Sequence, residues 1–107
     1  MRRRNPVSIV SRKISIGNTQ AEGFEIPLSG VTLVFAKTAA GMVGCGAFDV
    51  RALDKFGYAA AKARGADGKP IATIDDLLAA TVVEANEAAV ARGIKTQMTG
   101  ARALELL

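Results

Sequence analysis

The chain has no histidine, no tryptophan and a single cysteine among its 107 residues. The lack of histidine excludes a Ser-His-Asp triad, a Cys-His dyad and histidine metal sites, and a homo-oligomer cannot borrow the missing ring from a neighbouring copy. One cysteine, Cys45, permits no intrachain disulfide and no Cys₄ zinc site within a subunit, so no metal site is expected. A lone thiol fits a reducing compartment, and a cytoplasmic location is expected. Aromatic residues are scarce, four Phe and one Tyr, so the core must come from Val, Ile, Leu and Ala. No apolar run approaches the roughly 20 residues of a membrane span. Residues 7–16 are interrupted by Ser8, Ser11, Arg12, Lys13 and Ser15, which is no apolar core of a secretion signal. The phosphate-loop pattern ending in Gly-Lys-Ser/Thr is also missing.

What is present is the composition of one globular domain, 50% hydrophobic and 22% charged. The net charge of +4 is unevenly placed. Arg2, Arg3, Arg4, Arg12 and Lys13 fall in the first 13 residues, where no acid stands, and the rest of the chain is close to neutral. Residues 1–13 therefore read as a basic, partly flexible arm and residues 14–107 as a single domain. Such an arm can contact nucleic acid, but no aromatic stacking residues accompany it.

The first half reads as strands. Ile14 and Ile16 flank Ser15, and Gly17-Asn18 signals a turn. Phe24, Ile26 and Leu28 alternate with Glu25 and Pro27, marking a half-buried strand. Pro27 has no N–H, which places it at a sheet edge or a strand end. Ser29-Gly30 is the next turn. Residues 31–36 are apolar on both faces, as in a central strand or one at a subunit contact. Residues 42–47 read as a further short strand.

The second half reads mainly as helices. Asp49 caps a helix ending at Gly57. The Ala-rich residues 58–63 are ambiguous, because alanine is a poor strand former. Residues 65–70 are a loop. Thr73 caps a second helix, with Asp75 and Asp76 at its positive end. Thr81 and Glu84 have the spacing of a capping box, which predicts a third helix stopping at Gly93. Thr99 caps the last. The expected fold is α+β: an N-terminal antiparallel or mixed β-sheet followed by several short helices packed on it.

Gly41-Met42-Val43-Gly44-Cys45-Gly46 is the one segment suggestive of chemistry. Glycines let a ligand approach the backbone, and exposed amides attract anions. As a dinucleotide fingerprint it fails at its third glycine, where Asp49 stands and would repel a phosphate. Cys45 is either a reactive thiol, with Lys37, Lys62 or Arg51 as sources of a positive field, or a small buried hydrophobe. Asp75 and Asp76 are neighbours on a helix and do not face each other, so they make no acid/base pair.

The segments 44–49, 73–78, 93–95, 98–100 and 103–104, in this order and spacing, resemble the YunC-like family of small bacterial and archaeal proteins of unknown function. The resemblance implies an α+β fold whose N-terminal β region mediates tetramer formation, and no established activity. The family usually shows Gly-Met-Thr/Ser-Gly-Arg-Glu in its last segment. Here Gln97 replaces the first Gly, and Ala101-Arg102 replaces Arg-Glu.

The leading expectation is a homo-oligomer that binds a small ligand near Gly44, Cys45, Gly46, Asp49 and Thr99. No cofactor is indicated. One rival is an enzyme with Cys45 or Thr99 as nucleophile, assisted by a lysine. The other is a nucleic-acid binder using the basic arm.

Overall fold

A computed structural model of the protein describes residues 8–107, so Arg2, Arg3 and Arg4 of the basic arm lie outside the described residues. Three antiparallel strands come first: β1 (Val10–Ile16), β2 (Thr19–Leu28) and β3 (Val31–Lys37). Gly17 and Gly30 turn the two hairpins with φ of 57° and 85°, a region open to glycine at little cost. Strand β1 takes in Arg12 and Lys13, so the last part of the basic arm belongs to the sheet.

Strand β4 (Gly41–Gly44) pairs antiparallel with β3, and helix α1 (Val50–Asp54) then carries the chain over to β5 (Ala59–Arg64). Strands β4 and β5 run parallel, which needs such a crossover. After a short 3₁₀ turn come α2 (Ile74–Ala79) and β6 (Thr81–Ala85), then α3 (Glu87–Val90) and α4 (Gly100–Glu105). The six strands lie in one sheet in chain order.

The class is α+β and the sheet is mixed, as the sequence suggested. The order differs: α1 and α2 are interleaved with strands, and two strands belong to the second half. Thr81-Val82-Val83-Glu84 is strand β6 and opens no helix. Its β-branched residues favour a pleated surface, and Glu84 pairs with Lys62 and Arg51 instead of reaching back to Thr81. The helix starts later, capped by Asn86.

The alanine segment is strand β5, and burial explains its composition. Ala59, Ala60, Ala61 and Ala63 are all at most 3% exposed. One face of the sheet packs on Ile74, Leu77, Ala103 and Leu104 of α2 and α4. The other face, at β4 and β5, packs Met42 and Ala60 against Val50 of α1. Small side chains let both layers approach.

Asn86 locks this region. Its Oδ1 accepts from the amides of Ala60 (3.1 Å) and Ala89 (2.9 Å), and its Nδ2 donates to the carbonyls of Val50 (2.9 Å) and Tyr58 (2.8 Å). All four of its hydrogen-bonding positions are used.

Pro27 is explained by register. Strand β2 lies between β1 and β3, but β1 pairs only as far as Val10 opposite Glu25. Among the described residues, 26–28 pair with β3 alone, so β2 is locally an edge there, where Pro27 lacks its N–H.

Candidate site: a basic cleft at the ends of two parallel strands

Strand β4 ends at Gly44 and β5 at Arg64, and their parallel pairing puts both carboxyl ends on one side of the sheet. A cleft of about 270 Å³ opens there. Cys45 and Gly46, just past β4, form one wall. Lys62 and Arg64 of β5 form the next, with Val83 of β6 beside them. The loop from Gly65 to Ile71 closes the third side.

Val83 reaches the cleft through an irregularity in pairing. Lys62 faces Glu84 but Ala63 faces Val82, so the register skips Val83. Such bulges re-aim side chains locally. The loop is wound tightly. A Cβ on Gly65 would overlap the carbonyl oxygen of Lys69, so only glycine permits this approach. Gly68 N–H donates to Gly65 O at 3.3 Å, and Lys69 N–H to Ala66 O at 3.0 Å. Asp67 and Gly68 both have positive φ, 55° and 73°. Past the loop, Asp76 accepts from the amides of Ala72 and Thr73, both at 3.1 Å. These bonds and that of the Thr73 hydroxyl, the Ala72 amide foremost, hold the Asp76 carboxyl below its ordinary range.

The walls carry three cations, Lys62, Arg64 and Lys69, and no acid. They are not equivalent. Lys62 Nζ is 3.0 Å from Glu84 Oε1, and Arg51 Nε is 2.8 Å from Glu84 Oε2. Glu84 is thereby held below the usual carboxylate range, mainly by Lys62 and then by Arg51. Arg64 and Lys69 make no ion pair among the described residues.

The five residues singled out in the sequence do not converge on one point. Cys45 and Gly46 line the cleft; Gly44, Asp49 and Thr99 do not. Cys45 is 7% exposed, belongs to the core, and donates its amide to Val34 O at 2.9 Å. Gly44 makes room for the Phe48 ring, which a Cβ would meet at 2.5 Å. Asp49 caps α1 by accepting from Ala52 N–H at 3.1 Å, and Thr99 caps α4 by accepting from Arg102 N–H at 3.1 Å. Of the cations named as neighbours for the thiol, only Lys62 shares its cleft. Arg64 and Lys69 were missed. Their signal is slight: two bases alternating at the end of an alanine strand, and a third just past a glycine loop.

The sequence profile of a family described as a domain of unknown function, DUF1805, matches residues 44–107. The chain belongs to this family. The DUF1805 segment begins at the cleft: Gly44 is its first residue, and every cleft residue falls within it. A protein of unknown function from Thermoplasma acidophilum, solved by crystallography, is similar over 92% of this chain and 91% of its own, with 28% identity and a TM-score of 0.80. That likeness reaches beyond the DUF1805 segment into the N-terminal strands. No curated protein matches. Among the described residues no helix is long and apolar enough to cross a membrane, and no cluster of three or more His, Cys, Asp or Glu could hold a metal ion.

Proposed function

We propose that this DUF1805 protein is a homo-oligomeric, non-catalytic binder of a small ligand, and that the ligand sits against Cys45 and Gly46. The observation that carries the reading is the cleft itself. It lies beyond the carboxyl ends of adjacent parallel strands, the usual place for ligands on sheets with parallel pairing. Thr99 is committed to its helix and lies outside the cleft, which weighs against it as a nucleophile. Lys62, the lysine nearest in role to a base for Cys45, is committed to Glu84.

A thermal-shift survey across a broad metabolite panel tests the reading, with alkylation of Cys45 by N-ethylmaleimide as a second readout. A ligand should raise the melting temperature and slow alkylation. A flat response across the panel overturns it. Rapid alkylation that no ligand slows would favour the enzyme reading with Cys45 as nucleophile.

Self-association through the N-terminal β region, to a tetramer, belongs to the same proposal, as does the finer likeness to YunC-like proteins. The outer face of β2 and β3 supports it. Phe24 pairs with Phe35, Ile26 with Leu33 and Leu28 with Val31, all on one face. Leu28 and Val31 are 48% and 57% exposed. Adjoining apolar residues left in water mark an interaction surface. A monomer by light scattering across the micromolar range overturns this part. The reading includes a cytoplasmic location, supported by the single cysteine. Arg12 is bonded to Asp75 at 2.7 Å, which leaves the basic arm less charge for nucleic acid.

A further inference from the structure

Resting on the ligand-binding reading above, we infer that the ligand of the Cys45 cleft is an oxyanion, a carboxylate or phosphate carried on a short apolar body, held by Arg64 and Lys69. The three cations of the lining face no acid within it. The loop's own acid, Asp67, does not line the cleft, and Asp76 lines an adjoining groove that shares Gly65, Lys69 and Pro70 with it but makes no ion pair with Lys69. Lys62 is already neutralised by Glu84. That leaves Arg64 and Lys69 as the two cleft bases that make no ion pair among the described residues.

Their convergence is built into the backbone. Arg64 ends β5, and Lys69 lies five positions further along the chain. The close approach of Gly65 to the Lys69 carbonyl folds the loop back, and both bases line the cleft. An anion bound in the cleft would offset the positive charge of both bases. The guanidinium presents a planar fork matched to carboxylate and phosphate oxygens, and the ammonium adds a point charge. Beside these bases the lining carries apolar residues, among them Pro70, Ile71 and Val83. A bare inorganic ion would leave these walls unused, which points to an anion with a body of a few carbons.

Four probes of similar size and different charge test the inference on the full chain: benzoate, phenyl phosphate, benzamide and benzylamine. Binding is read by calorimetric titration and by protection of Cys45 from N-ethylmaleimide, a neutral reagent. Benzoate, phenyl phosphate or both should bind, and added salt should weaken them. Benzoate alone identifies a carboxylate ligand and phenyl phosphate alone a phosphate. Arg64→Gln and Lys69→Gln should each weaken the anion about tenfold, the loss of one charge-assisted bond. Lys95→Gln, on an exposed residue outside the cleft, should change nothing. Benzamide or benzylamine binding as tightly as benzoate overturns the oxyanion inference and leaves the ligand-binding reading standing. Failure of all four probes also overturns it, and the metabolite panel decides separately whether the broader reading falls too.

Discussion

The two halves of this sheet are finished differently. At β4 and β5 both faces are covered, by α2 and α4 on one side and α1 on the other. At β2 and β3 the described residues cover only one face; on the other Leu28 and Val31 are exposed and Phe24, Ile26 and Leu33 are partly buried. Phe35 is the seam. It stacks on Phe24 at 4.9 Å and meets Phe48 edge-on at 5.5 Å, so the bare apolar surface runs into the small core beneath α1. The DUF1805 profile covers the closed half from the last residue of β4 onward and leaves out the open one. The closed half buries the apolar residues of its strands wholly or in part and exposes only scattered ones, such as Phe56 after α1 and Val90 of α3; the open half leaves adjoining strand residues exposed on one face.

The largest expected effect would break the closed half. Asn86→Ala leaves the amide of Ala60 and the carbonyls of Val50 and Tyr58 without their partner. Buried polar groups left unpaired cost about 1–3 kcal/mol each, so urea unfolding should show a loss of about 3 kcal/mol or more. A loss below about 1 kcal/mol would mean that water replaces the side chain and that the lock is not local to Asn86.

The next effect concerns the contact between the halves. Glu25 of β2 accepts from the Ile74 amide at 2.8 Å, at the start of α2. A carboxylate there satisfies a free amide and meets the positive end of the helix. Glu25→Ala should cost about 1–2 kcal/mol. Arg12→Ala, which removes an exposed ion pair with Asp75, should cost far less. If the two cost the same, the open half is tied to α2 by charge at the surface and not by the helix end.

How much could be read in advance follows the same division. Both hairpin turns in the open half were legible from Gly17 and Gly30, and so was the two-faced character of residues 31–36. Local chemistry decides such features. In the closed half, the caps Asp49, Thr73 and Thr99 were legible for the same reason. Strand β6 was not, because Thr81 and Glu84 imitate a capping box and only long-range pairing with β5 shows otherwise. Strand β5 was ambiguous because its alanines answer to two covering layers that the local sequence does not contain. The cleft was half legible. Gly44-Cys45-Gly46 drew attention to one wall, but Arg64 and Lys69 join it only through a loop closed by Gly65 and a bulge at Val83.

A smaller effect, of opposite sign, comes from Gln97. Its φ is 80°, a region where a side chain is strained, and its amide is fixed to Val82 O at 2.9 Å. Glycine adopts this backbone angle without strain. Gln97→Gly should stabilise the closed half by about 1 kcal/mol. A pH series adds a check on the same half. The folded pKa values of Asp76 and Glu84 lie below their ordinary ones, so their contributions are complete above the unfolded carboxylate range and are lost as pH falls through the folded values. Unfolding of Asp76→Asn and Glu84→Gln should therefore depend less on pH in acid than unfolding of the native chain.

The smallest expected change in folding sharpens the contrast most. Leu28→Lys with Val31→Lys places two charges on the bare face at its exposed pair of positions. Both side chains are exposed and belong to neither core cluster, so unfolding of the monomer should shift by only about 0.5 kcal/mol. Assembly should respond instead, since two ammonium groups cannot be buried against an apolar partner without a large desolvation cost. Light scattering should report a change from oligomer to monomer, and the anion affinity of the cleft should stay within about twofold, because independent sites are additive. A large loss of monomer stability would show that the outer face is internal packing after all. An intact oligomer would move the subunit contact elsewhere, and the open half of the sheet would then need another reason for its exposed Leu28 and Val31.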